Sequence, residues 1–338
     1  MAYNVAINGF GRIGRLVFRL MSDNENFNIV AINDLTDVEQ LSYLLKYDTA
    51  HRRFDENVSF DKDNNNLIIG DKIIKVFAEK DPRNLPWGKL EVDAVYECTG
   101  VFTDKEKAMA HIDAGAKHVV ISAPAKGDLK TIVYNVNHHE LDGSEQIISA
   151  ASCTTNCLAP VLKVLDDEFG IEKGMMTTVH AYTNDQSTLD IPHKKGIKAR
   201  RGRAAAENII PTSTGAASAI GKVLPNLSGK LDGLALRVPV CDGSIVDLSL
   251  ELSHNVTVEQ INEAFKNNQN STLKYTEDPV VSCDVVGTIS GALVDGLSTN
   301  IINTEAGQLV KVLAWYDNEM GYSAQMVRTT LYLLKISK

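Results

Sequence analysis

Tyr3-Asn-Val-Ala-Ile-Asn-Gly-Phe-Gly-Arg-Ile-Gly14 opens the chain with an apolar run that ends in three spaced glycines. Tyr3–Asn8 has the length and composition of a short buried strand. From Arg12 to Met21 the apolar residues Ile13, Leu16, Val17 and Leu20 recur on one face at helical spacing. Phe27-Asn-Ile-Val-Ala-Ile-Asn33 is a second apolar run, rich in branched residues and ending at Asp34. Strand, glycine turn, helix, strand is a βαβ unit, and such units build parallel sheets.

The same alternation continues outward. Asp37–Tyr47 reads as a helix, Asp61–Asn66 as a polar turn, and Leu67–Ile69 with Lys72–Phe77 as a hairpin about Gly70-Asp71. Ala94–Cys98, Val119–Ser122 and Ile147–Ala150 are short strands, with a helix over Lys105–Ala114. Up to about residue 150 this predicts a Rossmann-type doubly wound α/β domain with a parallel sheet. The pattern then changes. Thr154–Phe169 is a strong helix closed by Gly170. Longer strand-like runs follow over Gly174–Tyr182, Leu231–Pro239, Ile245–Leu252, Ile289–Asp295 and Val310–Tyr316. Between them are helices at Ala216–Val223 and Val258–Asn267, and another begins at Met320. An α+β domain with a mostly antiparallel sheet is expected. The expected division is 1–152 together with a C-terminal helix in 319–338, and 153–318.

Bulk properties agree. At 44% hydrophobic and 23% charged, the 338 residues have the composition of a globular chain rather than a disordered one. The length suits two domains. A net charge of -9 argues against a general nucleic-acid binder. Five cysteines, Cys98, Cys153, Cys157, Cys241 and Cys283, follow no zinc spacing and read as free thiols of a reducing compartment. No metal site is expected. No run approaches the roughly 20 apolar residues of a membrane span, and Met1-Ala2-Tyr3-Asn4 starts no leader pattern. The expectation is a cytoplasmic protein.

Two motifs carry chemistry. Gly9-Phe-Gly-Arg-Ile-Gly14 sits between strand and helix, where Gly9 permits the turn, Gly11 close approach of a pyrophosphate, and Gly14 tight packing. The helix start offers free N–H groups to the phosphates. Asp34, closing the second strand, can accept from ribose hydroxyls and would repel a 2′-phosphate, so NAD is favoured over NADP. The competing reading of Asp34 is an ordinary turn residue. Ser149-Ala-Ala-Ser-Cys-Thr-Thr-Asn-Cys157 places Cys153 at the start of a strong helix, whose positive end would lower the thiol pKa. Cys157, one turn on, reads as structural. His180, at the end of an apolar run, could pair with the thiol as acid and base. His138-His139 reads as a surface pair.

The chain resembles the phosphorylating glyceraldehyde-3-phosphate dehydrogenases along nearly its whole length. The resemblance rests on Asn8–Gly14, Leu44–Asp48, Glu97-Cys-Thr-Gly100, Ser122-Ala-Pro-Ala125, Ser152-Cys-Thr-Thr-Asn-Cys157, Ile210-Pro-Thr-Ser-Thr-Gly215, Arg237-Val-Pro239 and Trp315-Tyr-Asp-Asn-Glu-Met-Gly-Tyr322. It implies Cys153 as nucleophile and His180 as its activator. It implies that Ser152, Cys153, Thr154, Thr183, Arg201, Thr214, Gly215 and Arg237 bind substrate and inorganic phosphate. It assigns NAD contacts to Gly9, Gly11, Arg12, Ile13, Asp34, Lys80, Ser122 and Asn318. D-glyceraldehyde 3-phosphate as substrate, a homotetramer and a place in glycolysis follow from the same resemblance. Two departures stand out. Lys80 replaces a common Arg. The run Lys194–Arg203 is longer and more basic than usual, which leaves open which of its arginines meets phosphate. Erythrose-4-phosphate dehydrogenase is the alternative enzyme. A secondary RNA-binding activity of 194–203 is the alternative of another class, and a thiol redox sensor at Cys153 is a third.

Overall fold

The structure is a computed structural model and describes residues 2–193, 196–305 and 307–337. Lys194 and Lys195 of the basic run lie outside the described residues. The chain divides into two compact units. One comprises Met1–Tyr134, His138–Ser152 and Ser323–Lys338, the other Asn135–Asn137 and Cys153–Tyr322.

Unit 1 begins with β1 (Tyr3–Asn8), α1 (Arg12–Ser22), β2 (Phe27–Asn33) and α2 (Val38–Lys46). Then come β3 (Val58–Asp61), β4 (Asn66–Ile69), β5 (Lys72–Phe77), β6 (Ala94–Glu97), α3 (Lys105–Asp113), β7 (His118–Ile121) and β8 (Ile147–Ser149). The strands form one sheet in the order β3-β4-β5-β2-β1-β6-β7-β8. The run from β5 to β8 is parallel. Because β1 lies between β2 and β6, successive connections leave it in opposite directions. The carboxyl ends of β1 and β6 therefore flank the topological switch point, where ligands of such sheets bind. Val5–Ile7, Ala94–Tyr96 and Val119–Ile121 are fully buried, which is why they read as unbroken apolar runs. Asp37 caps α2 by accepting from Gln40 N, as an Asp before an apolar helix should. The polar turn expected at 61–66 is the bend between β3 and β4, whose ends are Asp61 and Asn66.

Unit 2 runs α4 (Cys153–Phe169), β9 (Ile171–Ala181), β10 (Ile210–Ser213), α5 (Ala216–Val223), β11 (Leu231–Val238) and β12 (Ser244–Leu252). It continues with α6 (Val258–Asn267), β13 (Leu273–Thr276), α7 (Ser282–Val285), β14 (Ala292–Thr304) and β15 (Gly307–Tyr316). Its sheet has the order β10-β11-β9-β12-β15-β14-β13. Four neighbouring pairs are antiparallel; β11 with β9 and β13 with β14 are parallel. Helices α4, α5 and α6 pack on it. Alternation sorts the strands' residues. Met176, Thr178, His180, Arg237, Val246, Leu248, Val312 and Tyr316 are buried, while Met175, Leu234 and Leu309 remain exposed. Strand β14 begins at Ala292, three residues later than expected, and runs on to Thr304 through an irregularity between Asp295 and Asn300.

The last helix, α8 (Met320–Ile336), crosses from unit 2 into unit 1. In unit 1 its Ala324, Met326, Val327, Leu333 and Leu334 are buried. Gly143 (φ +90°) has no room for a side chain, because a Cβ there would lie 2.6 Å from Ile336 O. His138 is not a solvated surface residue. Its ring packs between Tyr134 and Tyr332, each 4.7 Å away, and burial lowers its pKa.

Candidate active site

Helix α4 starts at Cys153, and β9 delivers His180 to the buried side of its sheet. Packing α4 on that sheet brings Cys153 Sγ to 3.4 Å from His180 Nε2. In the neighbouring strand β11, Arg237 is in register with His180. Its Nη1 lies 2.9 Å from Ala181 O, 2.9 Å from Thr183 Oγ1 and 3.0 Å from His180 Nδ1. One Nη1 carries two hydrogens, and the two oxygens take both. His180 Nδ1 is therefore left to donate to Ala181 O, at 2.6 Å. That fixes the neutral tautomer, with a bare Nε2 facing the sulfur. Tyr316 closes the other side: its ring meets that of His180 edge-on at 5.9 Å, and its hydroxyl bonds to Thr154 Oγ1 at 3.0 Å and Thr178 Oγ1 at 2.8 Å.

Burial dominates the electrostatics. His180 is pushed down to about 3, first by burial and then by the Arg237 guanidinium. Burial also raises the Cys153 thiol, with Arg237 and Thr154 pulling the other way. The lowering expected from the helix start is thus outweighed, since a thiolate at this part-buried position loses hydration. Burial thus favours the neutral thiol and the neutral imidazole over the charged pair. Cys157 is fully buried, with its sulfur 3.7 Å from Ala314 O.

Beyond Arg237 the polar groups of unit 2 suit an anion. The Thr183 hydroxyl accepts from Arg237 and donates to Asp185, which in turn pairs with Arg201. Arg201 Nε reaches Thr212 Oγ1 at 3.2 Å, whereas Arg203 turns away to Asp190 at 2.9 Å. Of the three arginines in the basic run, Arg201 is the one joined to the Thr183–Arg237 group. Arg237 Nε is buried and has no hydrogen-bond partner among the described residues. Asp185, Arg201, Thr212 and Leu234 line a cavity of about 930 Å3. Thr214 and Gly215 stand at the start of α5, where Thr214 Oγ1 accepts from Ala216 N at 3.2 Å. Ser152 is partly exposed, immediately before the cysteine.

In unit 1 the three glycines of the β1–α1 turn differ in what surrounds them. Gly9 has φ +90°, and a Cβ there would lie 2.7 Å from Thr99 N. A Cβ on Gly14 would lie 2.1 Å from Gly9 O. Gly11 has nothing within 4 Å and is exposed, so the outer side of the turn is open to a phosphate. Asp34 Oδ2 accepts from Phe10 N at 2.7 Å and Oδ1 from Thr36 N at 2.9 Å. Its carboxylate is thus oriented by the glycine turn itself, and spare lone pairs remain for ribose hydroxyls. Ile13 is half-buried in the first turn of α1. The side chain of Arg12 is held by both nitrogens on Asp48. Lys80 is exposed, and Ser122 closes β7 with its N–H on Glu97 O at 3.0 Å. Asn318, in unit 2, is buried and accepts from Ser244 Oγ at 2.5 Å. Two features of unit 1 fit a dinucleotide: an open turn at Gly11 and an oriented acceptor at Asp34.

The family model for the NAD binding domain of glyceraldehyde 3-phosphate dehydrogenase matches residues 3–105, and that for the C-terminal domain matches 152–318. The chain is 59% identical to a glyceraldehyde-3-phosphate dehydrogenase of Clostridium pasteurianum over 334 residues, 99% of each chain. It is 53% identical over 339 residues to that of Streptococcus pyogenes, covering both chains in full. The chain belongs to the glyceraldehyde-3-phosphate dehydrogenase family. Unit 1 holds the family's NAD-binding Rossmann fold, and unit 2 holds its C-terminal domain. Two residues of this glyceraldehyde-3-phosphate dehydrogenase fold escaped sequence reasoning. Tyr316 ended the apolar run Val310–Tyr316 and carried no role of its own. Asp185 lies two residues after Thr183, and nothing local announced that it pairs with an arginine sixteen positions on.

Proposed function

We propose that this chain oxidises D-glyceraldehyde 3-phosphate to 1,3-bisphosphoglycerate with NAD and inorganic phosphate, through covalent chemistry at Cys153. The observation that carries the reading is the 3.4 Å approach of Cys153 Sγ to His180 Nε2, with Arg237 in register beside it. As the sulfur adds to the aldehyde carbon, its proton passes to Nε2, and the imidazolium is steadied by Nδ1–H on Ala181 O. The proton returns to the new alkoxide to give a hemithioacetal. Bound NAD supplies the hydride acceptor. His180 takes the hydroxyl proton as hydride departs, leaving a thioester on Cys153. Phosphate then attacks the thioester carbon and releases the acyl phosphate and the thiol.

Ser152, Thr154, Thr183, Arg201, Thr214, Gly215 and Arg237 hold the substrate and incoming phosphates. Arginine suits this task because its planar fork donates two aligned bonds, and the buried Nε of Arg237 awaits such a partner. Gly9, Gly11, Arg12, Ile13, Asp34, Lys80, Ser122 and Asn318 contact NAD. Residues 1–152 with the helix in 319–338 form the cofactor domain, and 153–318 the catalytic domain. The protein works as a cytoplasmic homotetramer. The exposed apolar residues on the open side of the unit 2 sheet, Met175, Leu234 and Leu309, support self-association. The names of the relatives favour glyceraldehyde 3-phosphate over erythrose 4-phosphate.

Reduced-cofactor absorbance, followed with aldehyde, NAD and phosphate each omitted in turn, tests the reaction. Sustained turnover without phosphate would sink the phosphorylating step. Cys153→Ser is expected to lose most turnover while still binding NAD. A near-normal rate in that variant excludes covalent thiol chemistry.

A further inference from the structure

A chain of hydrogen bonds links three strand ends of unit 1, from Asn33 through Asn8 to the buried carboxylate of Glu97 at the end of β6. Glu97 is 1% exposed and forms no ion pair with Lys or Arg among the described residues. It accepts from Asn8 Nδ2 at 2.5 Å, from His111 Nε2 at 3.0 Å, from Thr99 N at 2.8 Å and from the Thr99 hydroxyl. The direction of every bond is forced. Glu79 holds the Asn33 amide both ways, its carbonyl accepting from Nδ2 at 3.0 Å and its N–H donating to Oδ1 at 2.8 Å. Asn33 Nδ2 then donates to Asn8 Oδ1 at 2.7 Å, so Asn8 must turn its own amide N–H toward Glu97. On the other side Trp87 Nε1, which can only donate, lies 3.0 Å from His111 Nδ1. The ring proton of His111 is therefore on Nε2, pointing at Glu97.

Asn8 precedes Gly9 of the pyrophosphate turn, and Asn33 precedes Asp34 of the ribose site. Gly9 N also donates to Asn33 O at 2.8 Å, and Phe10 N to the Asp34 carboxylate. We infer that Glu97 is a positioning residue for the dinucleotide: through Asn8 and Asn33 its carboxylate sets the placement of the Gly9 turn and the Asp34 side chain. This rests on the NAD reading of Asp34 given above. A glutamine at 97 keeps the shape but turns one acceptor into a donor. Placed where Asn8 and His111 now donate, the new donor meets the His111 proton that Trp87 fixes and turns Asn8 over, then Asn33, which would face Glu79 with both polarities wrong. The misfit thus travels to the residue beside Asp34.

The test is equilibrium binding of NAD and of ADP-ribose, by calorimetry and tryptophan quenching, alongside kcat, KM and thermal denaturation. Glu97→Gln is expected to weaken both ligands about tenfold or more, with kcat at saturating NAD and KM for the aldehyde within about twofold of the parent. His111→Gln preserves an acceptor toward Trp87 and a donor toward Glu97, and is expected to retain affinity. Combined with Asp34→Asn, Glu97→Gln should add less than its full effect, because part of that effect runs through Asp34. Normal NAD affinity in Glu97→Gln, full additivity with Asp34→Asn, or equal losses in kcat and affinity would overturn the proposal. Unchanged NAD affinity in Asp34→Asn alone would instead fault the ribose reading. If Glu97→Gln does not fold, Asn8→Ser cuts the same link. Its affinity must then fall below that of His111→Gln, and equal values overturn the inference.

Discussion

At Cys153 a helix start and a guanidinium favour the thiolate, yet burial wins and the thiol is raised. Removing Arg237 therefore has a definite sign. Arg237→Met should move the alkylation profile of Cys153 to higher pH, and a shift to lower pH would contradict the role given to that charge. His180 carries a second sign. Its value near 3 in the folded chain lies below the unfolded value of about 6.5. The unfolded state then binds the extra proton first, so this residue's contribution to stability is whole above about pH 6.5 and is lost as pH falls toward 3. His180→Asn should flatten the acid side of the stability profile, measured by denaturant unfolding at several pH values, and any offset above about pH 7 should not vary with pH. The helix start at 153 and the strand end at 180 were legible in the chain. The sequence did not disclose the burial that reverses the thiol shift, because burial depends on α4 and β9 meeting across the chain.

Among elements, the β1–α1 turn allows the sharpest contrast. Gly14→Ala drives a methyl to 2.1 Å from Gly9 O, whereas Gly11→Ala meets nothing within 4 Å. Gly14→Ala should lower stability by about 1–3 kcal/mol or more through overpacking, and weaken NAD as well. Gly11→Ala should leave the unfolding midpoint nearly unchanged and still weaken NAD. Thermal denaturation and NAD titration of the two variants check both statements. Most strands were readable beforehand, and the ones that were not share a position. Strands β3, β10 and β13 are all edge strands. An edge strand has one neighbour and often one wet face, so it needs no apolar run, and Val58-Ser-Phe-Asp61 or Leu273-Lys-Tyr-Thr276 does not stand out. The central strands of unit 1, buried on both faces, announced themselves.

For the molecule as a whole, the open side of the unit 2 sheet is the feature that a single chain leaves unexplained. Met175 is 58% and Leu234 42% exposed, on adjacent strands. Met175→Asp with Leu234→Asp should shift the sedimenting species to lower mass if self-association covers this face. An unchanged mass would place the subunit contact elsewhere. Alternating residues in β9 and β11 were visible in the sequence, but an apolar residue facing outward looks the same there as one facing the core. The crossing of α8 from one unit to the other has a consequence for biosynthesis. A ribosome releases β1 to β8 first, then the whole of unit 2, and only afterwards the segment from Ser323 that packs into unit 1. The half that emerges first is thus the half that finishes last. Its nascent sheet must wait, part-covered, through the translation of everything between, a window in which a chaperone would find exposed hydrocarbon to hold.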